Sequence, residues 1–485
     1  MRVTVDGKPV EVPEGAMVSA AVARAGGVEF RRSVSGEGRG PLCGMGICFE
    51  CRVTVDGRAH VRSCQTRCVP GMEIGTTGVR SWGPGAGSQG LGVGGWGLGG
   101  GNFEIVVVGA GPAGLAAARA AGESGKAVAV VDDNPAPGGQ IWRGESPALP
   151  KAKIFSGARV IAAPEAGRLL LETSDARFDL GYRALILATG ARERFLPFPG
   201  WTLPHVTGAG GLQALVKSGL PIAGKRVVVA GSGPLLLAAA NYLREHGAPV
   251  PLVAEQAESG AVMRFGFGLA RYPGKLAQAM RLRAGVRYLT GCWPVAAEPG
   301  AVTLRRGTRT WSERCDYLAC GFGLVPNTEL PRLLSCGTAV DEFQQTRTAG
   351  IYCAGEATGI GGLELSIAEG EIAGYAASGA EGRARRRFAE RESYRRFAGA
   401  AEEAFTPRPE LKKLPRDDTV VCRCEDVTFG RIRRFASWRE AKLQTRCGMG
   451  ACQGRVCGAV LEFLLGWKME SVRPPVFPAR MGSLE

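Results

Sequence analysis

Histidine is nearly missing from this chain. His60, His205 and His246 are the only three in 485 residues, so a histidine-built metal site or a haem is not expected, and each reads as a surface or packing residue. Long apolar runs are missing too. No stretch of about 20 uninterrupted apolar residues occurs, which excludes an ordinary membrane-spanning helix. The start, Met1-Arg2-Val3-Thr4-Val5, alternates like a strand and lacks the apolar core of a secretion signal, so a cytoplasmic location is expected. Between Gly109 and Glu356 there is no C-x-x-C pair, which argues against a disulfide reductase. Cys292, Cys315, Cys320, Cys336 and Cys353 are scattered through that stretch and read as packing residues. Acidic residues are outnumbered, leaving a net charge of +15. Much of the excess lies in Arg383, Arg385, Arg386, Arg387, Arg391, Arg395 and Arg396, interleaved with glutamates. That pattern reads as an exposed helix with mixed-sign pairs and not as a nucleic-acid surface.

What the chain does have is cysteine at both ends. The length calls for two or three domains. Residues 1–80 form the first module. Asp6-Gly7 and Asp56-Gly57 each join two short alternating runs, as hairpin turns do, and residues 16–25 read as a helix stopped by Gly26-Gly27. A compact β-grasp-like unit follows from this order. Its loop carries Cys43, Cys48 and Cys51, with Cys64 after the second hairpin. The spacing C-x4-C-x2-C with a later fourth cysteine is a plant-type signature for a 2Fe–2S cluster. Cys68 is a rival fourth ligand, and a zinc knuckle is the alternative chemistry. Residues 81–101 are dominated by glycine and read as a flexible tether, with Trp82 and Trp96 standing oddly within it.

Residues 102–380 read as a parallel α/β core. The apolar run Phe103–Val108 leads into Gly109-Ala110-Gly111-Pro112-Ala113-Gly114, and a second strand ends at Asp132. Strand, G-x-G-x-x-G, helix and acid together mark a dinucleotide site, with the pyrophosphate over Gly111 and the ribose at Asp132. Pro137-Gly138-Gly139-Gln140 suits a loop lying along a flavin. The strand end at Gly190 and the turn at Gly355-Glu356 match the two-dinucleotide-domain, glutathione-reductase-like flavoproteins, which bind FAD with these elements. A second nucleotide fold is nested at about residues 224–325. There Gly231-Ser232-Gly233 is followed by Leu236 in place of the third glycine, and the next strand ends at Glu255. Glu255 disfavours NADPH. NAD or an adenine nucleotide remains possible there, as does a structural remnant. Residues 381–419 read as a helical linker.

The last module, residues 420–467, opens with Cys422 and Cys424 and continues with Cys447, Cys452 and Cys457; a Pro-rich tail, residues 468–485, follows. Zinc is the alternative to iron–sulfur here, and by spacing alone Cys447 with Cys452 competes as the second pair. The module resembles the bacterioferritin-associated-ferredoxin-like (BFD-like) 2Fe–2S domain. That resemblance implies Cys422, Cys424, Cys452 and Cys457 as ligands and leaves Cys447 surplus.

With Cys320-Gly321-Phe322-Gly323-Leu324-Val325-Pro326-Asn327, Cys422-Arg423-Cys424-Glu425-Asp426 and Cys452-Gln453-Gly454-Arg455 in place, residues 102–458 resemble the α subunits of heteromeric amino-acid and opine dehydrogenases. Sarcosine oxidase α, the A component of octopine or nopaline oxidase, D-hydroxyproline dehydrogenase α and the B component of hydrogen cyanide synthase are members. The first module resembles the small 2Fe–2S subunit of the same systems. The resemblance implies an electron-transfer flavoprotein subunit with FAD, two 2Fe–2S clusters and no nucleic acid. It also implies a partner β subunit, itself a flavoprotein similar to D-amino-acid dehydrogenase, that oxidises the C–N bond of an amino acid, imino acid or opine. No catalytic base is apparent in this chain. A self-contained NADH-dependent ferredoxin reductase and an iron–sulfur binding module are the competing expectations.

Overall fold

The computed structural model describes residues 1–76, 100–469 and 471–484. Trp82, Trp96 and nearly all of the expected tether lie outside them, while Gly101 opens a strand. The described residues form two compact units, each assembled from separate stretches of chain.

One unit combines the N-terminal residues with Glu193–Leu324 and Ala400–Met469. Its N-terminal part is a five-stranded sheet in the order Lys8–Glu11, Arg2–Val5, Glu73–Gly75, Arg52–Val55, Arg58–Arg62. Only the pairing of Arg2–Val5 with Glu73–Gly75 is parallel. Asp6 and Gly7 have φ of 47° and 77°, Asp56 and Gly57 47° and 75°. Both hairpins therefore turn through two left-handed residues, the geometry that matches strand twist and that Asp-Gly favours. The helix Val18–Arg24 covers the sheet with its buried Val18, Ala20, Ala21 and Val22. The second part is a five-stranded parallel sheet ordered Val206–Thr207, Tyr317–Phe322, Val227–Ser232, Val253–Glu255, Tyr288–Thr290. Its central strands are buried throughout, which explains why they read as continuous apolar runs. The third part pairs Val420–Cys422 with Val427–Thr428 and adds the helices Trp438–Thr445 and Cys457–Leu465. One continuous apolar core runs through Cys43, Cys48, Phe195, Trp201, Phe322, Val421, Cys422, Cys452 and Cys457.

The other unit is built on a seven-stranded sheet. Lys153–Ser156, Val128–Asp132, Gly101–Val108, Arg177–Leu187 and Ile351–Cys353 run parallel in that order. The strand Arg177–Leu187 spans 11 residues, and its first half also pairs antiparallel with Arg168–Glu172. The helices Pro112–Glu123 and Gly362–Ala377 pack backbone to backbone. A Cβ on Gly370 would stand 2.2 Å from the Ala113 carbonyl oxygen, and one on Gly374 2.2 Å from that of Ala117. The arginine-rich segment is two helices, Glu381–Arg385 and Phe388–Phe405, and it is not a simply solvated face. Arg391 is buried, and Arg395 pairs with the buried Glu369 at 3.0 Å.

Candidate functional site: two cysteine nests and two nucleotide folds

The N-terminal nest forms where the loop after Leu42 winds back on itself. Gly44, Gly46 and Phe49 have φ of 61°, 78° and 59°. A Cβ on Gly44 would stand 2.7 Å from the Gly211 carbonyl oxygen, so only glycine admits this approach. The winding aims amides at sulfur: Met45 N and Cys48 N donate to Cys43 Sγ at 3.3 and 3.4 Å, and Glu50 N donates to Cys48 Sγ at 3.4 Å. All four thiols are buried and sort into two hydrogen-bonded pairs, Cys43 with Cys48 and Cys51 with Cys64. Burial pushes the Cys43 thiol up, but the bond from Cys48 and the amides of Met45, Cys48 and Ile47 outweigh it and draw it down. The hydrogen bond from Cys64 draws Cys51 down against burial. Cys68 differs: burial pushes it up to about 11, opposed only by the N-terminal amine. A binuclear cluster takes two thiolates on each iron. Two buried pairs under aimed amides fit one.

The C-terminal nest holds five buried thiols. The sulfurs of Cys422, Cys447 and Cys457 lie within 4.8 Å of one another, and Cys424 pairs with Cys452. The set Cys422, Cys424, Cys452, Cys457 thus supplies two pairs, with Cys447 as a third thiol beside one of them. Hydrogen bonds from Cys447 and Cys457 hold the Cys422 thiol far down. A Cβ on Gly450 would stand 2.2 Å from Cys424 Cβ, so the loop closes on the nest as tightly as the N-terminal one does.

In the other unit, the strand Gly101–Val108 ends in the glycine loop. Gly109 has φ of 109°, and a Cβ there would meet the Ala188 carbonyl oxygen at 2.1 Å. A Cβ on Gly114 would sit 1.7 Å from the Gly109 oxygen. Gly111 is different: a Cβ would meet nothing nearer than Gly139 Cα at 3.9 Å. The space over Gly111, at the start of the helix Pro112–Glu123, is where an anionic phosphate finds free amides and the helix dipole. Asp132 ends its strand buried, accepting from Ala110 N at 2.5 Å and Asn134 N at 2.7 Å. Burial pushes its carboxyl up, opposed by those donors. Gln140 Oε1 is buried with no hydrogen-bond partner, an orphan acceptor beside that space. Buried acceptors are rarely left so, and a ligand donor would complete it. These residues fit an adenine-dinucleotide cofactor such as FAD. Gly190 accepts from Asn327 N at 2.9 Å through its carbonyl. The Gly355 amide donates to Glu369 at 3.0 Å and not to Glu356. Burial pushes Glu356 up, opposed by the Gly362 amide.

The nested fold repeats the scheme with a different ending. Glu255 is wholly buried and accepts from Gly233 N at 2.8 Å and Ala257 N at 2.9 Å. Burial lifts it to about 7 against those donors. Over the ends of the strands runs the chain's own segment Phe405–Arg408. Ser232 Oγ donates to the Phe405 carbonyl at 2.7 Å, Gln256 Nε2 donates to the Thr406 carbonyl at 3.2 Å, and Arg408 N donates to Gln256 Oε1 at 3.0 Å. In such sheets a dinucleotide lies in the crevice outside the strand ends. Here the strap lies against that edge, on Ser232 and Gln256. Sequence reasoning did not find the strap or Glu369, because each acts on a residue distant in the chain.

Residues 103–382 match the family described as pyridine nucleotide-disulphide oxidoreductase, and residues 1–78 match a 2Fe-2S iron-sulfur cluster binding domain. The A component of opine oxidase from Rhizobium meliloti is 32% identical over 453 residues, covering 79% of this chain and 98% of that protein. In the hydrogen cyanide synthase of Pseudomonas aeruginosa, HcnB is 31% identical, covering 73% of this chain and 91% of its own. HcnA of the same organism is 37% identical over 76 residues, covering 16% of this chain and 73% of its own. The crystal structure of L-proline dehydrogenase from P. horikoshii superposes with a TM-score of 0.72 at 20% identity, over 100% of this chain and 97% of that one, a likeness of fold. The chain is thus an oxidoreductase with the flavoprotein fold that belongs to the α-subunit family of HcnB and the opine oxidase A component, with the family's small 2Fe–2S domain carried at its own N-terminus.

Proposed function

We propose that this chain is the electron-carrying subunit of a heteromeric dehydrogenase that oxidises the C–N bond of an amino acid, imino acid or opine, D-hydroxyproline among the candidates. Cys43, Cys48, Cys51 and Cys64 hold one 2Fe–2S cluster, and Cys422, Cys424, Cys452 and Cys457 a second. FAD, or an adenine nucleotide, lies along Gly109, Gly111, Gly114, Asp132, Gln140, Gly190, Gly355 and Glu356. Bound there, these groups supply one-electron carriage by iron–sulfur and two-electron storage by flavin. The substrate is oxidised on a separate flavoprotein β subunit resembling D-amino-acid dehydrogenase. The carbon bearing nitrogen gives up a hydride to that subunit and the nitrogen a proton, leaving an imine, and this chain takes the electrons onward.

The observation that carries the reading is the pair of buried cysteine nests, members of both of which line one apolar core. The residues of this chain exclude water from the nests and aim amides at the sulfurs, which favours the reduced state by hydrogen bonding. The strap over the nested fold disfavours the NADH-dependent reductase, because electrons then lack an entry from NADH. The test is an anaerobic preparation assayed for iron and for dye reduction across amino acids and opines. The expected result is four irons per chain, no turnover by the chain alone, and turnover on adding the co-purifying partner. Turnover by the chain alone would overturn the assignment.

A further inference from the structure

The two nests come from opposite ends of the sequence, yet one ion network joins their loops. Arg31 Nη2 donates to Glu50 Oε1 at 2.6 Å and to the Arg423 carbonyl at 3.2 Å. Arg423 Nε donates to the other carboxylate oxygen, Glu50 Oε2, at 3.1 Å. Arg423 Nη1 donates to the Trp201 carbonyl at 2.9 Å, and the guanidinium lies 5.0 Å from the Trp201 ring centre. The side chains of Arg423 and Glu50 are each 1% exposed, that of Arg31 6%. Beside them Arg39 pairs with Asp426 at 2.8 Å, again spanning the first and last modules.

Position gives the network its meaning. Glu50 sits between Cys48 and Cys51, and Arg423 between Cys422 and Cys424. Two guanidiniums against one carboxylate leave an excess positive charge in a dry interior. Such a group gains little stability over an apolar filling and is tolerated only opposite further negative charge. After Glu50, Arg31 of the first module is acted on by Cys424 and Asp426, and Arg423 of the last module by Cys48 against the opposing Arg39 and Arg31, so part of that charge comes crosswise from the nests. A structural staple would not require charge at these places, whereas two thiolate nests that gain negative charge on reduction do.

We propose that the Arg31–Glu50–Arg423 network makes the two nests one electrostatic unit, in which Glu50 is a positioning residue whose charge sets the reduction potential of the C-terminal nest as well as that of its own. The inference rests on the reading above that both nests hold 2Fe–2S clusters. Removing the carboxylate charge leaves two unopposed guanidiniums, which favour the more negative, reduced form at each nest, so both potentials rise together.

The test is an anaerobic redox titration of the full chain followed by electron paramagnetic resonance, comparing wild type, Glu50→Gln, Glu50→Asp and Gln65→Leu. Gln65 donates to Cys64 Sγ at 3.9 Å and serves as the local control. The expected result is four irons in every variant. Glu50→Gln shifts the reduction equilibrium about tenfold or more at both nests, which is about 59 mV for one electron. Glu50→Asp restores both potentials, and Gln65→Leu moves only the N-terminal one. Should Glu50→Gln not fold, Arg31→Gln in the same titration still decides: removing a positive charge from the network lowers both potentials together. A shift confined to the N-terminal nest in either variant overturns the inference and leaves the proposed function standing. A wild type with only two irons, both in the N-terminal nest, overturns the reading of the C-terminal nest and this inference with it.

Discussion

The chain carries two β–α–β nucleotide folds that begin alike and end differently. In each, the strand-ending acid grips its own glycine loop: Asp132 accepts from Ala110 N at 2.5 Å, and Glu255 from Gly233 N at 2.8 Å. In the first, the third glycine lets helix meet strand, the face of Gly111 is open, and Gln140 holds an unanswered acceptor. In the second, Leu236 fills the place of the third glycine and the carbonyls of Phe405 and Thr406 lie over the strand ends. A fingerprint sequence is therefore only half of a nucleotide site. The other half is what the rest of the chain lays across the strand ends.

The largest effects separate packing from binding within the first fold. Gly114→Val drives a branched side chain into the Gly109 carbonyl oxygen, 1.7 Å from its Cβ, and should destabilise that unit by about 3 kcal/mol or more. It is expected to yield little folded protein, as urea denaturation would show. Gly111→Ala meets open space instead. It should leave the unfolding of cofactor-free protein unchanged while lowering retained flavin or adenine nucleotide about tenfold or more, measured by absorbance after denaturation. Equal cofactor content in Gly111→Ala and wild type would erase the contrast drawn between the two folds.

A smaller effect tests the burial of the second fold's acid. Glu255 is raised to about 7 by burial, against about 4.3 in an unfolded chain. The folded state therefore keeps a proton that the unfolded state has lost. The contribution is fully present below about pH 4.3, and stability falls as pH rises through about 7. Glu255→Gln cannot titrate. Its stability relative to wild type should improve between roughly pH 5 and 8, by about 3 kcal/mol at most. Denaturation at a series of pH values checks this, and a constant difference between the two proteins would mean that Glu255 is solvated and the crevice open.

Much of this architecture was legible in the sequence, for local reasons. The Asp-Gly hairpins, the first glycine loop and the C-x4-C-x2-C loop are written in neighbouring residues whose backbone demands are strong. The place of Cys64 after the second hairpin was also readable, though its pairing with Cys51 appears only in the structure. What escaped reading depends on contacts between distant segments. Glu50 and Arg423 are 373 positions apart, and no local pattern links them. Arg391 looked like one of many solvated arginines, and its burial against the Glu342 carbonyl has no periodic signature. The gathering of Cys447 with Cys422 and Cys457 follows from the placement of the last helix, which spacing alone does not fix.

The finest test concerns the strap itself. Gln256 is buried and holds both sides of it, donating to Ser232 Oγ at 2.9 Å and to the Thr406 carbonyl while accepting from Arg408 N. Gln256→Leu keeps the volume but removes these bonds, and leaves the Thr406 carbonyl and the Arg408 amide without that partner. The expected cost is about 1–3 kcal/mol, visible as a lowered melting temperature. Wild type should show no bleaching of its flavin by NADH. If strap and Leu236 both close the crevice, Gln256→Leu should show none either, since loosening one leaves the other. Bleaching in the variant alone would assign the closure to the strap, and bleaching in wild type would mean that the second fold is a working site and that the two folds differ less than their endings indicate.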